Sequence, residues 1–197
     1  MKLFLSPTSP FGRLCLVLAM LKRRNDLELH FVNPWDNPPE LEAVNPFSQI
    51  PVLLTDDGTA IYNTHLVCQY LGADAGDAQA LNHLAFATTL LDVTIQYVKL
   101  TRFKAPDTPD HPLVARSLQA IGRALAQAPA FDPGSERWAD VMLGVVLQTC
   151  QQRVADTFTA HARPDTQAAL ATFAQRDLVT RTTPQALEAR PARVADL

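Results

Sequence analysis

The chain reads as two parts in series: an α/β portion followed by a portion built only of helices. Three observations carry that reading. Convincing strand patterns occur only before residue 63, helical periodicity occupies most of the chain beyond about residue 79, and the stretch between them is small and polar (Gly72, Asp74, Gly76, Asp77). The expected domains are therefore residues 1–74 and residues 79–197.

In the first part, the apolar run Leu3-Phe4-Leu5 predicts a strand over residues 2–5. Ser9-Pro10 then predicts a helix start: Ser is a favoured N-cap, and Pro at the first helical position gives up no needed hydrogen bond. That helix is apolar almost all round (Leu14, Val17, Leu18, Leu21) and is expected to run to about residue 25. Leu27, Leu29 and Phe31 alternate with Glu28 and His30, giving a strand with one buried face. A proline-containing stretch around Trp35 leads to one turn of helix ending near Asn45. Residues 51–55 and 59–62 read as two strands joined by the hairpin signal Asp56-Asp57-Gly58, and Thr64 is expected to cap a helix reaching residue 71. The order βαβ, hairpin, helix describes a thioredoxin-like domain. In the second part, helices are expected over residues 79–104, 112–127, 137–154, 165–176 and 184–190, with breaks at Pro106/Pro109, 129–135 and Pro164.

Composition bounds the function. With 197 residues, 47% of them hydrophobic and 19% charged, the chain can bury one large core or two small ones. A formal charge of −3 opposes a sequence-independent nucleic-acid or membrane-surface binder, which shows a basic face. No apolar run approaches the roughly 20 residues that span a bilayer. The start, Met1-Lys2 followed at once by a strand, does not read as a signal peptide. Cys15, Cys68 and Cys150 are odd in number, far apart and without metal-like spacing, so reduced thiols, a cytoplasmic location and no metal are expected.

The stretch Ser6-Pro7-Thr8-Ser9-Pro10-Phe11-Gly12-Arg13 places a hydroxyl beside unpaired backbone N–H groups at the positive end of a helix dipole. Such a place favours an anion, a thiolate included. On these residues alone an ordinary capped helix is the favoured reading.

Two further elements follow in order: Gln49-Ile50-Pro51-Val52-Leu53, and Ile61-Tyr62-Asn63-Thr64-His65 at the head of a helix. With all three, the chain resembles the cytosolic glutathione transferases over essentially its whole length, in particular bacterial serine-type members with an SPxSP-like start. The resemblance implies the glutathione transferase fold and a homodimer, with glutathione as co-substrate and a small electrophile as second substrate. Ser9 aligns with the catalytic serine, which donates a hydrogen bond to the glutathione sulfur. A free thiol has a pKa of about 8.5, and lowering it by two units takes only about 2.7 kcal/mol of differential stabilisation. Pro51 aligns with a cis proline that turns the N–H and C=O of Ile50 toward the peptide, as an added strand would. Gln49 and Pro51 flank that contact, Thr64 holds the γ-glutamyl carboxylate, and Trp35 lies at the glycine end.

The sequence departs from the family pattern in two places beside Thr64. Asn63 stands where relatives carry an acidic residue facing the ligand's ammonium, and His65 stands where proline is common. A hydrogen bond involving a charged group is worth roughly 1.5–3 kcal/mol against about 1 for a neutral one, so weaker glutathione binding is expected. Phe11, Tyr97, Thr101 and Phe103 are candidates for the electrophile pocket, each also readable as packing or surface. Cys15, amid Leu14 and Leu16, reads as a buried structural thiol, and Arg13 as a structural contact. In the helical part Arg137 occupies the cap position before the apolar run 141–147, where relatives carry Ser or Thr, while Asp140 is retained. Two other functions stay open: a non-catalytic binding or regulatory protein on the same fold, like the stringent starvation proteins, and thiol–disulfide exchange through Cys15.

Overall fold

The computed structural model describes residues 1–197, which divide into two compact units. One comprises residues 1–74 together with 175–197, and the other residues 75–174. The last stretch of the expected helical domain thus packs with the first unit, and hydrogen bonding explains why. The Leu29 N–H donates to the Ala192 carbonyl at 2.8 Å, and the Val194 N–H donates to the Leu27 carbonyl at 3.1 Å.

In the first unit β1 (Lys2–Leu5), α1 (Pro10–Leu21), β2 (Glu28–Phe31), the single turn α2 (Pro39–Glu42), β3 (Val52–Leu54), β4 (Ala60–Tyr62) and α3 (Thr64–Tyr70) follow one another in the expected order. The sheet order is β2-β1-β3-β4. β1 and β2 are parallel with Leu5 opposite Phe31, β3 is antiparallel to β1 with Phe4 opposite Val52, and β4 is antiparallel to β3 with Val52 opposite Tyr62. This is the thioredoxin-like arrangement.

Successive side chains of a strand face opposite ways. Phe4 accordingly packs with Val32, Leu41 and Val52 on one face, while Leu3 and Leu5 are fully buried on the other. α1 approaches β1 so closely that a Cβ on Gly12 would lie 3.0 Å from the Leu5 Cβ. The helix stops earlier than its apolar pattern suggests. The Lys22 N–H closes on the Leu18 carbonyl, and Arg23 turns left-handed at φ 55°.

The second unit contains α4 (Ala78–Arg102), α5 (Pro112–Ala126), α6 (Trp138–Arg153), α7 (Ala155–His161) and α8 (Pro164–Phe173). α6 is its axis: every residue from Trp138 to Cys150 is buried, and α4 packs against both α5 and α6. Arg137 sits at the N-cap of α6 without a capping side-chain bond, as its residue type predicts. Its backbone N–H instead reaches Ser135 Oγ at 3.0 Å. Asp77, read from sequence as linker, caps α4 by accepting the Ala80 N–H at 2.8 Å.

Two short helices are absent from the sequence expectation. α7 is separated from α6 by Val154 alone, in a conformation (φ −137°, ψ 51°) that no proline or glycine announces. α9 (Asp177–Thr180) belongs to the first unit. The expected helix 184–190 is a 3-10 turn, Ala186–Ala189. No helix is long and apolar enough to cross a membrane.

Candidate functional site at one end of the sheet

Strand register gathers the predicted residues of the first unit. The C-terminal ends of β1, β2 and β4 and the N-terminal end of β3 all meet at one end of the sheet, because Leu5 pairs with Phe31, Phe4 with Val52, and Val52 with Tyr62. The segments leaving or entering at that end carry Ser9 and Phe11 after β1, Trp35 after β2, Gln49, Ile50 and Pro51 before β3, and Asn63 and Thr64 after β4. Ligands of open α/β sheets bind at carboxyl ends of strands. Two helices, α1 and α3, also begin there, and neither has an acidic residue in its first turn to offset the positive end of its dipole.

Ser9 is the N-cap of α1, as expected. Its Oγ accepts the Gly12 N–H at 3.2 Å, and its backbone is extended (φ −79°, ψ 115°). A hydroxyl that accepts one bond keeps its own hydrogen for donation. Ser9 is partly exposed.

Thr64 was expected as the cap of α3, but Asn63 takes that place. Its Oδ1 accepts the His65 N–H at 3.0 Å, its backbone turns to φ 76°, and Thr64 becomes the first helical residue. Asparagine is both a strong N-cap and tolerant of positive φ, which explains the shift of one residue.

The Ile50-Pro51 peptide bond is cis. Ile50 packs against the Phe4, Val52 cluster. The loop before it is held by Asn45, a buried side chain whose Nδ2 donates to the Gln49 carbonyl at 2.8 Å and whose Oδ1 accepts the Phe47 N–H at 3.2 Å. Ser48, between them, has φ 47° and a buried Oγ with no hydrogen-bond partner. Trp35 is half exposed on a 3-10 turn, its N–H bonded to Asn33 Oδ1 at 3.3 Å.

Cys15 is fully buried with its Sγ 3.8 Å from that of Cys68. Burial first, and the neighbouring thiol second, push it well above the ordinary thiol range, leaving it protonated and inert. Arg13 is a structural contact, as expected. Its guanidinium is buried, which lowers it to about 10.

Tyr97, Thr101 and Phe103 belong to the helical unit. Thr101 bonds back to the Tyr97 carbonyl at 3.0 Å, and Phe103 is 55% exposed with the Arg102 guanidinium 5.5 Å from its ring. Sequence reading passed over Asn45, Ser48 and the buried pair of His83 Nδ1 and Asp140 Oδ1, 3.6 Å apart. For Asn45, the available signal was an Asn-Pro dipeptide opening the loop before the strand.

Comparison with known proteins supports the fold. Residues 8–74 match the family "Glutathione S-transferase, N-terminal domain". No curated protein matches the chain by sequence. Among solved structures it is similar to a glutathione transferase family member from Pseudomonas fluorescens Pf-5 with bound glutathione: 22% identity over 93% of this chain and 98% of that one, TM-score 0.83. It is also similar to a glutathione S-transferase from Methylobacillus flagellatus with glutathione bound, at 23% identity, 93% and 98% coverage and a TM-score of 0.73. A glutathione transferase from Burkholderia graminis, with two glutathione molecules per subunit, matches at 20% identity, 92% and 86% coverage and a TM-score of 0.69. The chain therefore has the glutathione transferase fold, and its residues 8–74 match that family's N-terminal domain.

Proposed function

We propose that the chain binds glutathione at this end of the sheet and activates its thiol for transfer to a small electrophile. The observation that carries the reading is the Ser9 hydroxyl: partly exposed, fixed by the Gly12 N–H, and set at the start of the 12-residue helix α1. Ser9 donates its hydrogen to the glutathione sulfur, and with the helix terminus it favours thiolate over thiol. Ile50 pairs its backbone with the cysteinyl unit, flanked by Gln49 and Pro51. Thr64 and the first N–H groups of α3 take the γ-glutamyl carboxylate. Asn63 receives the ammonium, and Trp35 lies at the glycine end. Phe11, in the first turn of α1, contributes to the electrophile site. Ser9 acts by hydrogen bonding, not as a covalent nucleophile, and no metal takes part in the scheme.

A homodimer is part of the proposal. It is supported by an apolar groove of about 400 Å3 between α4 and α5, lined by Phe86, Leu90, Val93 and Ala120 among others. Light scattering on the purified protein tests it, with a monomer mass as the contrary result. The cytoplasm, where thiols stay reduced, suits its three free cysteines.

Asn63 favours a second reading, a binding or regulatory protein without catalysis. It offers no carboxylate, and its Oδ1 already accepts a bond from its own helix. Calorimetric titration with glutathione separates the two. Binding at millimolar concentration or tighter in the wild type, with loss of thiolate formation in Ser9→Ala, supports the transferase. A folded wild type that gives no heat at several temperatures supports the second reading.

A further inference from the structure

Arg13 is the only charged residue of α1, and thiol activation by Ser9 leaves it without a task. It stands one helical turn beyond Ser9: its backbone N–H donates to the Ser9 carbonyl at 2.9 Å. Its guanidinium is 4% exposed and turns toward the C-terminal part of the first unit. Nε donates to Thr182 Oγ1 at 3.3 Å, and a terminal nitrogen donates to the Val179 carbonyl at 3.1 Å. Thr182 is itself fully buried, its hydroxyl donating to the Leu178 carbonyl at 2.7 Å.

Burying a guanidinium is costly unless its hydrogens find fixed acceptors. An apolar side chain would fill the same space without that cost, as Leu14, Leu16 and Val17 do beside it. What apolar packing lacks is direction. Hydrogen bonds from a planar, rigid donor fix the rotation of α1 about its own axis. The acceptors are anchored in turn, since the segment that carries them pairs with β2 through Ala192 and Val194. On its other side, α1 is fixed by the close approach of Gly12 to Leu5.

We propose that Arg13 is a positioning residue for Ser9. By tying the first turn of α1 to Val179 and Thr182, it makes the C-terminal segment set the direction in which the Ser9 hydroxyl donates to the glutathione sulfur. The proposal rests on the assignment of Ser9 as the thiol-activating group. It gives residues 176–194 a part in the chemistry although the proposed glutathione contacts are made by other residues.

The test uses the full chain with Arg13→Met, Arg13→Lys and Thr182→Val, the last removing only a hydroxyl and so keeping the question open if Arg13→Met fails to fold. Two quantities are read: the dissociation constant for glutathione, and the thiolate ultraviolet absorbance of bound glutathione as a function of pH. Misdirecting one charge-assisted hydrogen bond leaves roughly three- to tenfold less thiolate at neutral pH. The dissociation constant changes by less than about threefold, because most of the peptide's contacts are elsewhere. Arg13→Lys, which still reaches the Val179 carbonyl, recovers part of the loss. Lower unfolding temperatures with an unchanged thiolate titration in all three variants would overturn the proposal and leave Arg13 a stabilising residue only. Ser9→Ala run alongside separates the two failures: an unchanged titration there overturns the role of Ser9 and the proposal with it.

Discussion

The ring of Phe173 occupies the position that a side chain on Gly144 would need: two of its atoms lie 2.8 Å from an ideal Cβ there. Both residues are buried, Gly144 in the middle of α6 and Phe173 at the end of α8. A ring held by its neighbours yields less readily than a flexible chain. Gly144→Ala is therefore expected to destabilise the protein by about 1–3 kcal/mol, even though alanine gains about 1 kcal/mol in helix propensity. Urea unfolding reads the effect, and adding Phe173→Leu should restore part of it. A stabilised Gly144→Ala would show that the Phe173 ring yields to the added methyl group.

Ser48 combines two costs, a left-handed backbone at φ 47° and a buried hydroxyl without a partner. Ser48→Gly removes both and adds backbone freedom to the unfolded chain. The balance is a gain of roughly 0.5–1 kcal/mol, seen as a higher urea midpoint at unchanged slope. A lower midpoint would mean that the hydroxyl finds a partner in solution.

Asn63→Asp should strengthen glutathione binding about three- to thirtyfold by replacing a neutral acceptor with a charged one. Aspartate is as good an N-cap as asparagine and suits the helix dipole, so the melting temperature should stay the same or rise slightly. Unaltered affinity in a folded variant would take the ammonium away from position 63.

Ser9→Ala loses an N-cap as well as the proposed donor. About 1 kcal/mol of stability should go with the cap. Loss of the charge-assisted hydrogen bond should lower turnover at neutral pH by roughly 10- to 100-fold. Ser9→Thr keeps both hydroxyl functions and should retain most of the activity. Equal turnover in Ser9→Ala, with an unmoved pH profile, would remove Ser9 from the mechanism.

Alkaline stability should decline through the buried thiols. Burial raises Cys150 from 9.0 to about 11, against a smaller opposing effect of the hydrogen bond with Thr94. A thiol whose folded value is raised contributes stability that is whole below the unfolded value and is lost as pH rises through the folded one. For Cys150 that window runs from 9.0 to about 11, and Cys15 is raised in the same direction. Denaturation midpoints between pH 8 and 11, compared with those of Cys150→Ala, check this. The variant should lose part of the alkaline slope, and an identical slope would exclude the residue.

Much of the first unit was legible in the sequence because its signals are local. Ser9-Pro10 marks a helix start, Asp56-Asp57-Gly58 marks a hairpin, and the alternation around Leu29 marks a strand. The one-residue error at Thr64 arose because two neighbouring residues, Asn63 and Thr64, are both good caps, and only the observed φ of 76° decides between them. α7 and the return of the chain to the first unit were not legible. The break at Val154 carries no local mark, and the bonds from Arg13 to Thr182 and from Leu29 to Ala192 join residues distant in sequence. The same holds for the site: the residues at strand ends were named from motifs, whereas Asn45 and Ser48, which shape the loop around Gln49, matter through burial.

The return of residues 175–197 to the first unit also bears on the order in which the protein is made. A ribosome delivers about 5–20 residues per second, and domains tend to fold as units when they emerge. Here the helical unit, residues 75–174, is complete in the emerging chain before the unit that started first. Until Val194 has cleared the exit tunnel, the N–H of Leu29 in β2 and the carbonyl of Leu27 just before it lack the partners they have in the fold. The nascent first unit must wait, with one edge of its sheet open, for Ala192 and Val194.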